Sequence, residues 1–225
     1  MFKMRFTGTN EEILAYIKDL RPEMEAKLAK ARGLVQVTKR EIYYHEAAVL
    51  YAAAFALTGE ILEIGTMYGY SAAVLALAAP EAHIVTMAPR DPHVNIARAN
   101  LKSLPNVEVV QAYSWDYLEK YNGPALDMLF IDGDHNQIER DLLWWDWLEV
   151  KGLMLNHDYC PPEADIRPCR PCFEALNKFE KAHHRAEILV VNDHKQGMHG
   201  IYKRVSEVPA INLVAVRAEP LPVEV

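Results

Sequence analysis

The chain carries only three cysteines, Cys160, Cys169 and Cys172, among 225 residues. So few thiols build no disulfide framework, and they read as the reduced cysteines of a cytoplasmic protein. Cys169 and Cys172 form a lone C-x-x-C in a stretch rich in proline (Pro161, Pro162, Pro168, Pro171). Without a second pair it reads as a surface loop rather than a zinc site. Long apolar runs are missing too. The longest, around Ala47–Leu57 and Ser71–Ala79, fall short of a bilayer span and read as buried helices. The opening residues MFKMRFTGTNEEIL hold no apolar h-region, so no signal peptide is expected. Basic charge is in deficit: 24 Lys and Arg face 31 Asp and Glu, a formal charge of −7. Phosphate backbones and anionic lipid are repelled on average, which argues against nucleic acid and membrane partners. There is no Gly-Lys-Ser/Thr phosphate loop and no G-x-G-x-x-G turn, which sets aside the common nucleotide-binding loops.

What is present is a hydrophobic content of 51%, enough for a sizeable core. Thr9 and Glu12 stand at capping-box spacing, and Ile13, Ile17, Leu20, Met24 and Leu28 recur at helical spacing. A helix is expected there, with Pro22 either breaking it or starting a second. Another helix is expected over Arg40–Leu57, ending at Thr58-Gly59. From residue 60 short apolar runs alternate with helical ones. Strands are expected at Ile61–Ile64, His83–Met87, Val107–Gln111, Met128–Asp132 and Leu153–His157. The helices between them are expected at Tyr70–Ala79, Pro92–Ser103, Ser114–Tyr121 and Asn136–Glu149. This alternation implies right-handed βαβ crossovers and a mostly parallel sheet covered on both faces. A helix near Cys172–His183 precedes two strand-like runs, Ala186–Val191 and Met198–Arg204. The turn chemistry of Asn192–Gly197 joins them as a hairpin, so one strand must be antiparallel. The organisation expected is a helical extension over 1–58, an α/β domain over 59–205 and a tail over 206–225.

Two loops carry chemistry. The first strand ends in ILEIGTMYGYS, where Glu63, Gly65 and Gly69 read E-x-G-x-x-x-G. Gly65 is expected to turn the chain at positive φ, and Gly69 to let the turn approach a ligand with no Cβ in the way. Glu63 is a carboxylate at the tip of an apolar strand and needs a partner. The second loop is LFIDGDHNQIERDL. It delivers Asp132 to the end of the strand expected beside the first, with Asp134 as a helix cap. His135 is then placed as a general base. The next strand ends in LMLNHDYCP and brings Asn156, His157 and Asp158 to the same rim. Asp132 and Asp158 form a candidate pair of oxygen ligands for a hard cation such as Mg²⁺.

Together ILEIGTMYGYSAAVLALA, LFIDGDHNQIERDLLWW and KGLMLNHDY resemble the class I S-adenosylmethionine (SAM)-dependent methyltransferases. The closest likeness is to the small-molecule O-methyltransferase branch with an IDGDH loop. The resemblance runs from about Gly33 to Arg204. It implies a Rossmann-like seven-stranded sheet with an antiparallel terminal hairpin. It implies a SAM pocket built from Glu63, Gly65, Thr66, Tyr68, Gly69, Ser71, Ala88, Ser114, Trp115 and Asp132, with Asp132 and His135 as catalytic residues. In metal-dependent members Asp132 and Asp158 match the ligand positions. The partner implied is a small-molecule or sugar hydroxyl, and a homodimer through the N-terminal helices is in keeping with the pattern.

The chain departs from the family at three places. IVTMAPRDP puts Met87 and Ala88 where an acid usually binds the ribose, and Asp91 lies beyond Pro89. Tyr113 replaces an Asp near the adenine, leaving Tyr113 or Trp115 to stack on it. His157 and Tyr159 stand beside the second metal position in place of a carboxylate or amide. Two other readings therefore compete: a non-catalytic binding protein on this fold, and a metal-dependent hydrolase using Asp132, Asp134, His135, His157 and Asp158. Trp145 is in phase with the core face of its helix. Trp144 and Trp147 are off it, which points them at the N-terminal helices or a second subunit.

Overall fold

The computed structural model describes residues 10–35, 42–158, 170–182, 186–191 and 199–204. Seven strands form one sheet: β1 Glu60–Ile64, β2 His83–Ala88, β3 Val107–Gln111, β4 Leu126–Ile131, β5 Leu148–Asn156, β6 Ala186–Val191 and β7 His199–Arg204. Their order across the sheet is β3-β2-β1-β4-β5-β7-β6. The β1–β5 pairings are parallel, and β7 is antiparallel to both β5 and β6. β1 is the strand from which the winding reverses, with β2 on one side and β4 on the other. In an open α/β sheet that reversal opens a crevice beyond the strand ends.

Among the described residues seven α-helices flank the sheet: α1 Asn10–Leu34, α2 Tyr44–Ala54, α3 Tyr70–Ala78, α4 Asp91–Leu101, α5 Ser114–Leu118, the short α6 Ile138–Asp141, and α7 Arg170–Ala182. The period of two along each strand divides the core into two layers. Ile61, Ile84, Met128, Phe130, Leu153 and Leu155 face α1–α4. Their neighbours Leu62, Val85, Leu129 and Met154 face α6 and α7. The N-terminal helices belong to the first layer: Ile17, Met24, Leu28 and Ala31 of α1 and Ala47–Ala54 of α2 are all buried.

Several expectations change. α1 runs unbroken through Pro22. Pro22 and Lys18, whose carbonyl loses its partner, are both on the exposed side, where water replaces the missing bond. Thr9 and Arg40 lie outside the described residues. α2 starts late, at Tyr44, because the Glu46 carboxylate accepts the Tyr43 N–H at 2.5 Å and fixes the start there. The long helix expected over Asn136–Glu149 is a 3₁₀ turn (His135–Gln137), α6, and a second 3₁₀ stretch (Leu142–Trp147). In a 3₁₀ helix residues three apart eclipse. Leu142 and Trp145 are both buried on one side, while Trp144 and Trp147 both meet Tyr121, with ring centroids 5.0 and 4.7 Å away. Trp144 is therefore fully buried in the second layer, not against α1, α2 or a second subunit. The helix ends early, so β5 begins at Leu148 rather than Leu153.

Candidate active site

At the β1/β4 reversal a cavity of about 690 Å³ opens, a volume in the range of small-molecule sites. One wall is the loop after β1. Gly65 has φ 113°, and a Cβ there would sit 2.0 Å from the Asp132 carbonyl oxygen. The backbones of the β1 and β4 loops thus touch at a point where only glycine fits. The Gly65 and Thr66 N–H groups both donate to the Met87 carbonyl, at 2.9 and 3.1 Å, and the Asp132 N–H donates to Ile64 O at 2.8 Å. The loop is pinned to both neighbouring strands.

Below the loop lies a polar network. The Thr86 hydroxyl donates to Glu63 Oε2 and stands 2.7 Å from the Thr66 hydroxyl, and Ser71 also bonds Glu63. All four are buried. Glu63 Oε1 is buried and accepts no hydrogen bond among the described residues. Burial pushes the Glu63 carboxyl up to about 7; the Ser71 and Thr86 hydrogen bonds oppose the rise and the Asp132 charge adds to it. Such a group favours folding in its neutral form. Its contribution is full below pH 4.5, the ordinary value, and is lost as pH rises toward 7. Glu63→Gln is expected to remove a fall of roughly 3 kcal/mol in apo stability over that window. Chemical denaturation at pH 4.5 and pH 7.5 measures it; equal slopes in both proteins would refute the assignment.

The candidate cofactor residues divide between wall and support. Gly65, Thr66, Tyr68, Ser71, Ala88, Ser114, Trp115 and Asp132 line the cavity. Glu63 and Gly69 do not. Glu63 lies beneath the loop. Gly69 has φ 91°, and its missing Cβ would meet Leu101 Cδ1 at 2.7 Å, so it makes room for α4 rather than for a ligand. At the end of β2 the wall carries Ala88, Pro89, Arg90 and His93. Asp91 is not on the wall; it sits in the first turn of α4. Tyr113 and Trp115 stack on each other at 4.7 Å, and the Arg140 guanidinium lies 4.6 Å from the Trp115 ring.

Asp141 was not singled out in the sequence. It is buried on the cavity wall and accepts the Ser114 hydroxyl. Burial pushes its carboxyl up to about 6, against the Ser114 hydrogen bond. Asp134 caps the following turn as expected, its Oδ1 accepting Asn136 N–H at 3.1 Å.

Another part of the lining is a cluster of imidazoles and carboxylates. His157 Nδ1 lies 3.2 Å from Asp132 Oδ1 and 2.9 Å from Asp158 Oδ2, and its Nε2 lies 3.3 Å from Glu46 Oε1. His135 Nε2 lies 3.0 Å from the same Asp158 Oδ2. Asp132, His157 and Asp158 line the cavity, whereas His135 is not among the lining residues and contacts Asp158. Burial alone would lower His157. The Asp132 charge and the contacts with Asp132, Asp158 and Glu46 outweigh it and hold the ring well above its ordinary value. Burial would raise Asp158, but His135 and His157 hold it well below the usual carboxylate range. Glu46, fully buried on α2, is the second residue that sequence reading missed. Its only signal was an acid within an apolar helix.

Asp132, His135 and Asp158 each bring a ligating atom within 4.8 Å of the others. Mg²⁺, however, takes octahedral oxygen ligands. Here Asp158 Oδ2 is shared by His135 Nε2 and His157 Nδ1, and Asp132 Oδ1 faces that same His157 Nδ1. The arrangement is a carboxylate–imidazole cluster rather than the all-oxygen cage that Mg²⁺ prefers. Cys160, Cys169, His183, His184 and Tyr159 lie outside the described residues; Cys172 is buried in α7.

Sheet order, antiparallel β7 and a glycine loop at the reversal define a Rossmann-like protein with the class I methyltransferase fold. Residues 62–159 match the family model described as a methyltransferase domain. A catechol O-methyltransferase of Mycobacterium tuberculosis is 33% identical over 99 residues, 42% of this chain and 45% of that protein. The match thus spans less than half of that relative. A solved O-methyltransferase from Bacillus cereus in complex with S-adenosylhomocysteine (SAH) superposes with TM-score 0.62 at 18% identity, covering 84% of this chain and 90% of that one. An O-methyltransferase of Streptomyces achromogenes involved in tomaymycin synthesis, in complex with SAM, gives 0.64 at 17% identity, covering 82% and 90%. No helix among the described residues is long and apolar enough to cross a membrane.

Proposed function

We propose that the protein transfers the methyl group of SAM to a hydroxyl oxygen of a small molecule. The observation that carries this reading is the cavity at the β1/β4 reversal, with a backbone-pinned glycine loop on one wall and a histidine–carboxylate cluster on the other. The relatives named for O-methyl transfer, and their bound SAM or SAH, support it.

When bound, SAM supplies an electrophilic methyl on a sulfonium; the acceptor's O–C bond forms as the S–C bond breaks and the thioether keeps the electron pair. Gly65, Thr66, Tyr68 and Ser71 hold the amino-acid end, with Glu63 setting the loop from below. Ala88, Ser114 and Trp115 take the nucleoside end. Asp132 lies between the two walls and orients the reacting groups. His135 removes the acceptor proton, held in place by Asp158 through Nε2, which leaves Nδ1 as the basic atom. Desolvation and alignment in the cavity supply the rest of the rate. The family model and the relatives matched are methyltransferases, which gives a metal-dependent hydrolase no support.

Calorimetric titration with SAH tests the reading. Binding with a dissociation constant in the micromolar range is expected, weakened about ten- to a hundredfold by the missing ribose acid at Ala88. No heat and no thermal shift at millimolar SAH would sink it. Binding without turnover against a panel of hydroxylated acceptors, catechol included, would favour a non-catalytic binding protein.

A further inference from the structure

Glu46 is the one fully buried acid on the α2 helix, and it lies outside the segment that matches the methyltransferase-domain model. Its two oxygens do different work. Oε2 accepts the Tyr43 N–H and fixes the start of α2. Oε1 faces His157 Nε2 at 3.3 Å. The other ring nitrogen, Nδ1, faces Asp132 Oδ1 at 3.2 Å and Asp158 Oδ2 at 2.9 Å. One imidazole is therefore surrounded by oxygens of three carboxylates, brought from α2, the end of β4 and the end of β5. Two carboxylates so close in a half-buried site repel each other unless a cation lies between them. His157 stands in that place, and Glu46 fixes it from behind.

We propose that the Glu46–His157 pair takes the place of a divalent cation in this site, so that Glu46 is a positioning residue for Asp132 and Asp158 and the site works without a metal. The inference rests on the methyltransferase reading. A carboxylate behind the distal ring nitrogen sets the ring plane and keeps an N–H on each side of it. With His157 held, Asp158 stays where His135 needs it and Asp132 stays against the β1 loop. The pattern Glu46–His157–Asp158–His135 alternates acid and imidazole from α2 to the turn after β4. A cation on Asp132 Oδ1 and Asp158 Oδ2 would meet His157 Nδ1, which faces both oxygens.

The test uses the full chain, with SAH binding by the wild type measured first. Its absence would remove the methyltransferase reading itself, whatever the metal result. With SAH bound, Mn²⁺ is titrated as the probe and followed by electron paramagnetic resonance. The wild type is expected to show no binding tighter than about 1 mM, and EDTA to change turnover less than about twofold. His157→Ala, which uncovers both carboxylates, is expected to bind Mn²⁺ at least about tenfold tighter than the wild type. Glu46→Gln is expected to lower kcat about tenfold with the SAH dissociation constant unchanged, and Glu46→Asp to recover part of it. Micromolar Mn²⁺ binding by the wild type, or turnover abolished by EDTA and restored by Mg²⁺, would overturn the proposal even with SAH bound normally. So would a Glu46→Gln enzyme with wild-type kcat. If His157→Ala does not fold, the wild-type titration and the EDTA result still decide.

Discussion

Gly65→Ala is expected to abolish SAH binding and to destabilise the protein by roughly 3 kcal/mol or more. Two penalties add at this position. The first is backbone conformation: φ 113° lies in the region where an L side chain is strained, a cost of about 1–2 kcal/mol. The second is collision. The new Cβ would stand 2.0 Å from the Asp132 carbonyl oxygen and 2.5 Å from its carbon, both backbone atoms that no rotamer change can move. Relief requires the β1 loop and the end of β4 to separate. That separation breaks the Asp132 N–H···Ile64 O bond at 2.8 Å and opens the cavity wall where the two loops meet. An affinity loss of at least about a hundredfold follows if the loop holds the cofactor, since about 2.7 kcal/mol is enough for that. Gly69→Ala is the matched control. It too has positive φ, at 91°, but its Cβ would meet the tip of Leu101, a flexible side chain, and it is off the cavity wall. It is expected to cost roughly 1–2 kcal/mol in stability and to leave SAH affinity within about fivefold. Calorimetry with SAH and denaturant unfolding of both variants check this. Equal loss of affinity in the two would mean that the loop does not work as described.

The difference between these two glycines shows what the sequence can and cannot convey. A strand followed by E-x-G-x-x-x-G said that a sharp turn exists and where the crevice opens, because both depend on local backbone chemistry. It did not say which neighbour each glycine spares. Gly69 was read as an approach to ligand, yet it answers to Leu101, 32 residues along the chain, a contact set by how α4 packs. The same holds across the fold. The strand–helix alternation, the terminal hairpin and the covering of both sheet faces follow from the pattern of apolar runs, and those runs were legible. The broken helix after β4 was not, because the 3₁₀ turn over Leu142–Trp147 is stabilised by Tyr117 and Tyr121, which pack on Trp144 from another element. At the site, Asp132, His157 and Asp158 were legible as strand-end residues. Asp141 was not, because nothing near it in sequence distinguishes a buried acid from a capping or solvated one, and Glu46 offered only an acid within an apolar helix. Glu46 meets His157 only when α2 lies over the sheet, and Asp141 meets Ser114 only across the second layer. Partners of that kind are written in tertiary packing.

His135→Ala is expected to lower kcat by about 10²–10⁴-fold while leaving the SAH dissociation constant within about twofold. The split follows from position. Asp132, His157 and Asp158 are on the cavity wall, so changing any of them disturbs the surface that the cofactor meets. His135 is not on that wall; its Nε2 is held by Asp158 Oδ2 at 3.0 Å, which leaves Nδ1 for the acceptor proton. Asp158 keeps its negative charge because His135 and His157 hold its carboxyl well below the usual range, so it can orient and polarise the imidazole without taking the proton itself. The proton released when the acceptor oxygen attacks must go somewhere, and bulk water is a poor sink at the moment of transfer for a hydroxyl of high pKa. An imidazole beside the cluster, with Nε2 tied to a carboxylate, leaves its other ring nitrogen to accept that proton. His135→Gln retains a hydrogen-bonding side chain of similar reach but cannot carry the proton, so it should be as slow as His135→Ala. Single-turnover methyl transfer with saturating SAM, run beside SAH calorimetry, separates the two quantities. A kcat unchanged in both variants would remove His135 from the chemistry and leave the cavity-wall residues as the only candidates for the base. A parallel loss of SAH affinity would mean instead that His135 shapes the pocket through Asp158 rather than acting on the acceptor.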